Sequence, residues 1–262
     1  MTELEKIKYL EYYFPIIFTD MEKRDFGVMY HNTANPDSHD SNHAVIINDC
    51  DYEKVLGEVK EFYYSKALEP RVYSSLEEGQ LQNIRPYLER AGFKVNDYGY
   101  TEFLVYNGKS RITELFTLDF RRFNDGDDLS IFNRIFEDED TVFRTQGVVR
   151  RRAVSPDYYL YIGYADDIPV VMASFQFDEN MSARLDEVET AEGHRGKGYA
   201  RQITRHLTDV FNKHGGKLFF TWAANDTAQR VYVQGGFEVK YKLPAWSAHI
   251  EMERSTCKFT CE

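Results

Sequence analysis

The stretch that decides the fold is EVETAEGHRGKGYA, residues 187–200. At its start, residues 186–190 alternate acidic with less polar side chains, as a β-strand does. Beyond it, apolar residues between Ile203 and Phe211 recur at the spacing of one helix face. The sequence therefore predicts a strand, a glycine-rich turn and a helix in direct succession.

Gly196 and Gly198 stand at the junction of this strand and this helix. Because they have no Cβ atom, the backbone can curl and a bulky anion can approach the amide nitrogens that open the helix. Those unpaired amides carry roughly half a unit of positive charge. Arg195 and Lys197 add further positive charge, so the turn is suited to a phosphate or a pyrophosphate group.

Spacing excludes two common phosphate-binding loops. A Walker loop needs the pattern G-x-x-x-x-G-K-[ST], which does not occur in the sequence. A dinucleotide fingerprint needs a third glycine, but the third position after Gly198 is Arg201. The pattern that fits is R-x-x-G-x-A, from Arg195 to Ala200.

A second strand and a second helix are predicted downstream. Residues 218–222, LFFTW, form a short aromatic run that is typical of a strand. Asn225 is a natural N-cap for the helix that follows, since its side chain can accept from an unpaired helix amide. Gly235 and Gly236 can end that helix in the left-handed conformation.

Together, the two segments resemble motifs A and B of the GCN5-related N-acetyltransferases (GNAT). Motif A corresponds to the run from Arg195 to Ala200, and motif B to Asn225, Ala228, Tyr232 and the pair 236–237. The resemblance covers residues 113–252 and implies an α+β fold, with a central, mostly antiparallel mixed sheet flanked by helices. It also implies acetyl-coenzyme A as the co-substrate.

The resemblance assigns a role to each matching residue. The loop amides would hold the pyrophosphate of acetyl-coenzyme A, the preceding strand would pair with the pantetheine arm, and the second helix would begin close to the cofactor. The implied cofactor-binding residues are Val188, Thr190, Arg195, Gly196, Lys197, Gly198, Tyr199, Ala200, Asn225 and Ala228. Tyr232 matches the general acid that protonates the departing thiolate. The alternative is that Tyr232 is an ordinary core aromatic.

Two residues are candidates for the general base. An ammonium group must lose a proton before its nitrogen can attack the thioester carbonyl. Glu187 and Glu189 lie on the strand beside the expected thioester, and alternation predicts both on one face, with Asp186 and Val188 on the other. The alternative is that both are solvated strand acids and that water relays the proton.

Composition limits the class of protein. The chain has 262 residues, a net charge of −11 and a pI near 5.2. This length favours two domains. The acidic balance argues against nucleic acid as a partner and favours an amine, on a small molecule or a peptide, as the acceptor.

The start, MTELEK, lacks the features of a signal peptide, and no run of 18 apolar residues occurs, so we expect a cytoplasmic protein without a membrane partner. The sequence leaves a homodimer open.

No metal site is predicted from the cysteines. Cys50, Cys257 and Cys261 are odd in number and are expected to be free thiols. A zinc site at the last two would need two more ligands, and only the distant His249 is a candidate.

Two polar clusters are interpreted as solvated. His31, His39 and His43 surround turn-forming residues, which is typical of polar loop histidines. The run 150–152, RRR, is interpreted as a solvated charge run. The alternative is that these arginines contact the adenosine 3′-phosphate or an acidic partner.

The two halves of the chain share a pattern at an offset of 144 positions, since AGFKV at 91–95 stands opposite GGFEV at 235–239. We therefore predict a degenerate GNAT-like domain at 1–109 and a catalytic domain at 110–262. An unrelated accessory domain is the alternative. Opposite the phosphate loop, residues 48–53 are NDCDYE, which lacks glycine and carries three acids. The first half is thus not expected to bind coenzyme A, but to pack against the second half and wall the acceptor cleft.

Other segments complete the predicted catalytic half. The pattern predicts a strand at 115–123, a helix at 127–136, and a hairpin of 158–165 with 168–177 that turns at 166–167. Candidates for the acceptor pocket are Trp222, Trp246, Tyr241 and Phe175.

The predicted function is an acetyl-coenzyme A-dependent N-acetyltransferase that acts by direct transfer to a primary amine. Two alternatives are a non-catalytic acyl-coenzyme A sensor and a tandem transferase that uses another acyl donor. The acidic pI weighs against aminoacyl-tRNA as that donor.

Overall fold

The computed structural model describes residues 1–252. In the first half the elements are α1 (Glu3–Tyr13), β1 (Asp20–Arg24), β2 (Gly27–His31), β3 (Ala44–Ile46), α2 (Tyr52–Ser65), β4 (Arg71–Tyr73), α3 (Gln80–Arg90) and β5 (Lys94–Tyr106). In the second half they are β6 (Asp119–Phe123), α4 (Glu139–Arg152), β7 (Tyr158–Ala165), β8 (Ile168–Gln176), β9 (Ser182–Arg184), β10 (Asp186–Thr190), α5 (Tyr199–Lys213), β11 (Leu218–Trp222), α6 (Asp226–Gln234) and β12 (Phe237–His249). Short 3₁₀ helices occupy Phe14–Ile17, Leu129–Arg134 and Glu192–His194. Cys257 and Cys261 lie outside the described residues.

Two sheets carry the fold. One has eight strands in the order β1-β2-β3-β4-β12-β5-β11-β9, and the other has four in the order β10-β8-β7-β6. Most neighbours are antiparallel; β3 with β4 and β9 with β11 are parallel pairs. Helices pack on both sheets through apolar clusters, α2 and α3 in the first half and α5 in the second. The predicted mixed, mostly antiparallel α+β fold is confirmed.

The long strands β5 and β12 join the two halves. They pair antiparallel along their whole length, from Phe237 opposite Tyr106 to His249 opposite Lys94. The end of β12 also pairs with β4 of the first half, and the end of β5 pairs with β11 of the second. Each half thus pairs one of its strands with a strand segment of the other half. The eight-stranded sheet is therefore continuous between the two predicted domains, whose boundary we placed at 109/110. The division into two domains stays a prediction.

The repeated element order matches the offset read from the sequence. β3, α2, β4, α3 and β5 follow one another in the first half as β10, α5, β11, α6 and β12 do in the second. Phe93 and Phe237 stand at equivalent positions, and both side chains are buried. The first half is therefore compatible with a degenerate GNAT-like half.

Two local predictions need adjustment. The predicted 158–177 hairpin forms, with Asp166 and Asp167 both at positive φ in its turn. The strand expected from 115 begins only at Asp119. The helix expected at 127–136 is instead the 3₁₀ helix Leu129–Arg134, because its apolar residues recur every three positions, which suits three residues per turn.

No helix within residues 1–252 is both long and apolar enough to cross a membrane.

Helix α5 is the most clearly amphipathic element around the predicted site, and it buries Ile203, Leu207 and Phe211 as expected. Phe211 stacks on Phe219 of β11 at 4.4 Å between ring centroids, which fixes the helix against the sheet.

Gly92 and Gly236 offer a matched test of the packing between the halves. They occupy equivalent positions with φ of +90° and +95°, but a Cβ on Gly92 would meet open space, whereas one on Gly236 would lie 2.2 Å from the carbonyl oxygen of Lys109. Gly92→Ala should lower the free energy of unfolding by about 1–2 kcal/mol through strain alone. Gly236→Ala should cost about 1–3 kcal/mol more because the backbone must move. Urea denaturation of both variants measures the difference, and equal losses would show that the 109–110 turn is not packed as described.

Candidate active site

The predicted site lies where two strands separate. Residues Ser182–Arg184 of β9 run parallel to β11, and the amide of Leu185 still donates to the carbonyl of Phe220 at 2.9 Å. From Asp186 onward the chain turns away and pairs with β8 instead. β10 and β11 therefore belong to different sheets, and a gap opens between them.

A β-bulge marks the start of this gap. The register of β10 against β8 shifts between Asp186 and Glu189, and Glu187 has a φ of +54°. A non-glycine residue in this region costs about 1–3 kcal/mol and is typical of functional sites. The bulge also takes one residue of β10 out of the hydrogen-bonded ladder.

The bulge overturns one prediction. Alternation placed Glu187 and Glu189 on one face, opposite Asp186, but the carboxylates of Asp186 and Glu187 both accept from Nη1 of Arg152, at 3.1 and 3.3 Å. Glu189 instead pairs with Arg195 of the loop at 3.0 Å. The prediction was wrong because strict alternation holds only for a regular strand.

Glu187 has a fixed, partly buried position. Its carboxylate accepts from Oγ of Ser174 at 2.6 Å and from the hydroxyl of Tyr158 at 2.9 Å, besides Arg152. Burial raises the pKa of Glu187 above its ordinary value of 4.5, although the positive charge of Arg152 opposes this. The carboxyl group is thus oriented by three donors and is easier to protonate than a solvated glutamate.

The arginine run contains the main correction to the sequence analysis. Arg152 was interpreted as part of a solvated charge run, but its side chain is fully buried. It packs over the ring of Tyr158 at 4.2 Å and lies beside two carboxylates. The spacing of Val142, Val149 and Arg152 on α4 could have indicated this, since all three lie on the buried face of the helix.

Sequence reasoning also missed a second arginine beside the bulge, Arg184, whose side chain is largely buried at 12% exposed. Arg184 precedes the bulge and donates from Nη1 to both carboxylate oxygens of Glu11 at 3.2 Å, and from Nη2 to Asp186 at 3.1 Å. Its guanidinium lies 3.5 Å from the ring centroid of Phe14. Because Glu11 and Phe14 belong to the first half, that half contributes directly to the surroundings of the gap.

The glycine-rich loop lies at the mouth of the gap. Gly196 and Gly198 have φ of +79° and +80°, and Gly198 is the N-cap of α5 without any side-chain cap. The first amides of α5 are therefore not satisfied by a side chain. Arg195 donates to the carbonyl of Thr190 at 3.1 Å. Lys197 is exposed and pairs with no acid within the described part of the chain.

Helix α6 faces the loop from the other side of the gap. The side chain of Asn225 accepts from the amides of Thr227 and Ala228, both at 3.0 Å, which confirms its predicted role as N-cap. Tyr232 is buried, and Val188, Tyr199 and Ala228 pack against the same apolar cluster. The structure thus brings the residues predicted from both motifs together.

The hydroxyl of Tyr232 makes no hydrogen bond with any group in residues 1–252. Burial, together with the negative charges of Asp186 and Glu189, raises the pKa of Tyr232 well above its ordinary value of 10. The phenol is therefore protonated at neutral pH and lies near the carboxylates of β10.

The corresponding region of the first half is closed. β3 and β4 pair directly, with Ala44 opposite Val72, so the two strands do not separate. The side chain of Gln80 joins their ends, donating to the carbonyl of Ile46 at 2.7 Å and accepting from the amide of Ser75 at 2.9 Å. The amide of Lys54 in α2 donates to the carboxylate of Asp51, which lies where an anion would have to bind.

A cavity of about 850 Å³ lies between the two halves and reaches the end of β11. Trp222 and Trp246, two of the four candidates for the acceptor pocket, line this cavity. Phe175 is instead fully buried in the core, and the hydroxyl of Tyr241 donates to Glu3 at 2.9 Å outside this cavity. His43 also lines the cavity. It is buried, whereas the sequence analysis interpreted it as a solvated loop histidine.

No cluster of three or more potential metal ligands occurs among the described residues.

Comparison with known proteins supports these observations. Residues 136–255 match the family model described as acetyltransferase (GNAT) domain. No curated protein matches the chain. A GCN5-related N-acetyltransferase from Kribbella flavida is 14% identical, with a TM-score of 0.67 over 94% of this chain and 95% of that one.

Two further solved structures share the fold across nearly the whole chain. A GCN5-related N-acetyltransferase-like protein from Streptococcus suis is 11% identical, with a TM-score of 0.59 over 94% of this chain and 98% of that one. A functionally unknown conserved protein from Staphylococcus epidermidis is 14% identical, with a TM-score of 0.64 over 90% and 95%. At these identities the likeness concerns the fold, whereas the family model concerns the sequence. Residues 136–255 therefore form a domain of the GNAT acetyltransferase family.

Proposed function

We propose that the protein transfers an acetyl group from acetyl-coenzyme A directly to a primary amine. The observation that carries this proposal is the gap between β10 and β11, with the uncapped start of α5 at its mouth. A gap between strands offers main-chain groups to the amide-containing pantetheine arm, and an uncapped helix start offers amides to a diphosphate. Both features occur together in the second half and are absent at the equivalent place in the first.

The loop residues would hold the diphosphate. Amides of residues 195–200 would donate to its oxygens, and the exposed side chain of Lys197 would add a positive charge that no acid neutralises in the described part of the chain. Val188 and Thr190 would present their strand edge to the pantetheine arm, since β10 lacks a partner strand on the side of the gap. Asn225 and Ala228 at the start of α6 would line the opposite side.

The chemistry follows from the groups around the bulge. The neutral amine nitrogen attacks the thioester carbonyl, and a main-chain amide freed from the ladder at Glu187 would donate to the oxyanion. The carbon–sulfur bond then breaks, and the phenol of Tyr232 would donate its proton to the leaving thiolate. The attacking nitrogen, which carries a positive charge after the bond forms, loses a proton to solvent, and solvent returns a proton to the phenolate.

Glu187 is the better candidate for the base. Its carboxylate is oriented by Ser174, Tyr158 and Arg152 beside the bulge, and its raised pKa makes it a stronger proton acceptor than a solvated glutamate. Glu189 is less suitable because its side chain is 36% exposed, against 17% for Glu187, so its carboxylate lies in a more solvated environment. A water molecule between Glu187 and the ammonium would complete the transfer of the proton.

Replacing Tyr232 tests whether the protein is an enzyme or a coenzyme A sensor. Tyr232→Phe should lower kcat for thiol release from acetyl-coenzyme A by about 10²–10⁴-fold, while the Kd for coenzyme A stays unchanged. Tyr241→Phe is the control, since it removes a hydroxyl that donates to Glu3 away from the gap. Unchanged kcat in Tyr232→Phe would exclude this residue as the general acid.

Replacing Glu187 tests the base through the pH dependence. Only the carboxylate form can accept a proton, so kcat/KM should fall as pH drops below the pKa of Glu187. That pKa is raised, so this acid limb should lie above pH 4.5. Glu187→Gln should lower kcat/KM and remove this limb, whereas Glu189→Gln should keep it. If the pH profile of Glu187→Gln equals that of the wild type, the base lies elsewhere.

A further inference from the structure

Residues of both halves line the cavity that lies between them. Asp40, His43, Tyr73 and Tyr98 line it from the first half, and Arg184 and Trp222 from the second. Its volume of about 850 Å³ is that of a typical small-molecule site. Arg184 and Asp186 are adjacent to the bulge, so the cavity and the proposed reaction centre share a wall.

The charges of this cavity are paired with one exception. Arg184 binds Glu11 and Asp186, and Arg71 binds Glu69. Asp40 is exposed and forms no ion pair within the described residues; its nearest partner is the hydroxyl of Tyr73 at 3.4 Å. A ligand that enters the cavity thus meets one carboxylate that has no direct ion-pair partner among the described residues, although it attracts the more distant Arg184.

The groups next to Asp40 suit a cation. His43 stacks on Tyr73 at 4.1 Å, and its Nδ1 lies 3.3 Å from the carbonyl oxygen of His39, so the proton belongs on Nδ1. Burial lowers the pKa of His43 to about 3, so the ring is neutral and its Nε2 is a hydrogen-bond acceptor. Tyr98 and Trp222 are 61% and 40% exposed, and they present aromatic faces that attract positive charge.

We propose that this cavity binds the acceptor and selects a primary amine that carries a second cationic group. The second group pairs with Asp40 between the aromatic side chains, while the reacting amine lies toward the bulge at Glu187. Specificity for the acceptor thus comes from the first half, which lacks a coenzyme A loop of its own. That the bound amine is acetylated rests on the proposed function. That the cavity binds the amine does not depend on it.

Both tryptophans of the chain line the cavity, so intrinsic tryptophan fluorescence reports on ligands that bind there. The probes are 1,5-diaminopentane and pentylamine, which differ by one positive charge. They are titrated into the wild type, Asp40→Asn and Asp49→Asn. Asp49 is an exposed acid of the first half outside the cavity and serves as the matched control.

The wild type should bind the diamine about tenfold more tightly than the monoamine, as expected for a charged hydrogen bond. Asp40→Asn should lose this preference, and Asp49→Asn should keep it. Equal affinity of the wild type for both probes, or a preference that survives in Asp40→Asn, would overturn the inference. A thiol-release assay with both probes separates the two proposals. If no acetyl transfer occurs while the preference depends on Asp40, acetyl transfer is contradicted and the cationic site stands.

Discussion

The structure depends on the turn that the chain makes after Leu185, away from β11 and toward β8. Up to that point the chain is held by hydrogen bonds to β11, and after it by hydrogen bonds to β8. The bulge at Glu187 accommodates the change of direction, at the cost of an unfavourable backbone conformation. The buried Arg152 and the partly buried Arg184 neutralise the acids that this turn brings together. The same local geometry creates the gap, frees a strand amide and fixes the carboxylate of Glu187.

The two halves show how one topology can leave two strands apart or join them. Each contains a strand, a helix, a strand, a helix and a long final strand, and each borrows part of the final strand of the other. In the first half, β3 pairs directly with β4, the side chain of Gln80 joins their ends, and the carboxylate of Asp51 binds an amide at the start of α2. The first half instead contributes Glu11 and Phe14 to the gap and a wall to the cavity. The proposed reaction centre between the halves would explain why both are present in one chain.

Sequence reasoning succeeded where the signal is local. Helical spacing in α5, the N-cap at Asn225 and the turn at Asp166 and Asp167 all depend on residues within a few positions of one another, and all are confirmed. The resemblance to the GNAT family rests on the same kind of local pattern. The order of the repeated elements could also be predicted from the offset of 144 positions, because element order does not depend on which strands pair with each other.

The errors concern partners that are distant in sequence. The bulge at Glu187 appears only when β10 is paired with β8, and the burial of Arg152 depends on acids 34 and 35 positions away. The exchange of β5 and β12 and the burial of His43 likewise depend on tertiary packing. Charge and polarity suggested solvent exposure for Arg152 and His43, but a buried charged or polar group is tolerated beside a suitable partner, here two carboxylates for Arg152 and a backbone carbonyl for His43.

Hydrogen–deuterium exchange with and without coenzyme A tests the central claim most directly. If main-chain amides at the start of α5 hold the diphosphate, residues 195–201 should exchange more slowly when coenzyme A is present. When the N-caps Asp51 and Gly198 are aligned, the equivalent segment of the first half is residues 48–54, and its exchange should not change. Protection of 48–54, or no protection at 195–201 under saturating coenzyme A, would show that the start of α5 does not hold the diphosphate.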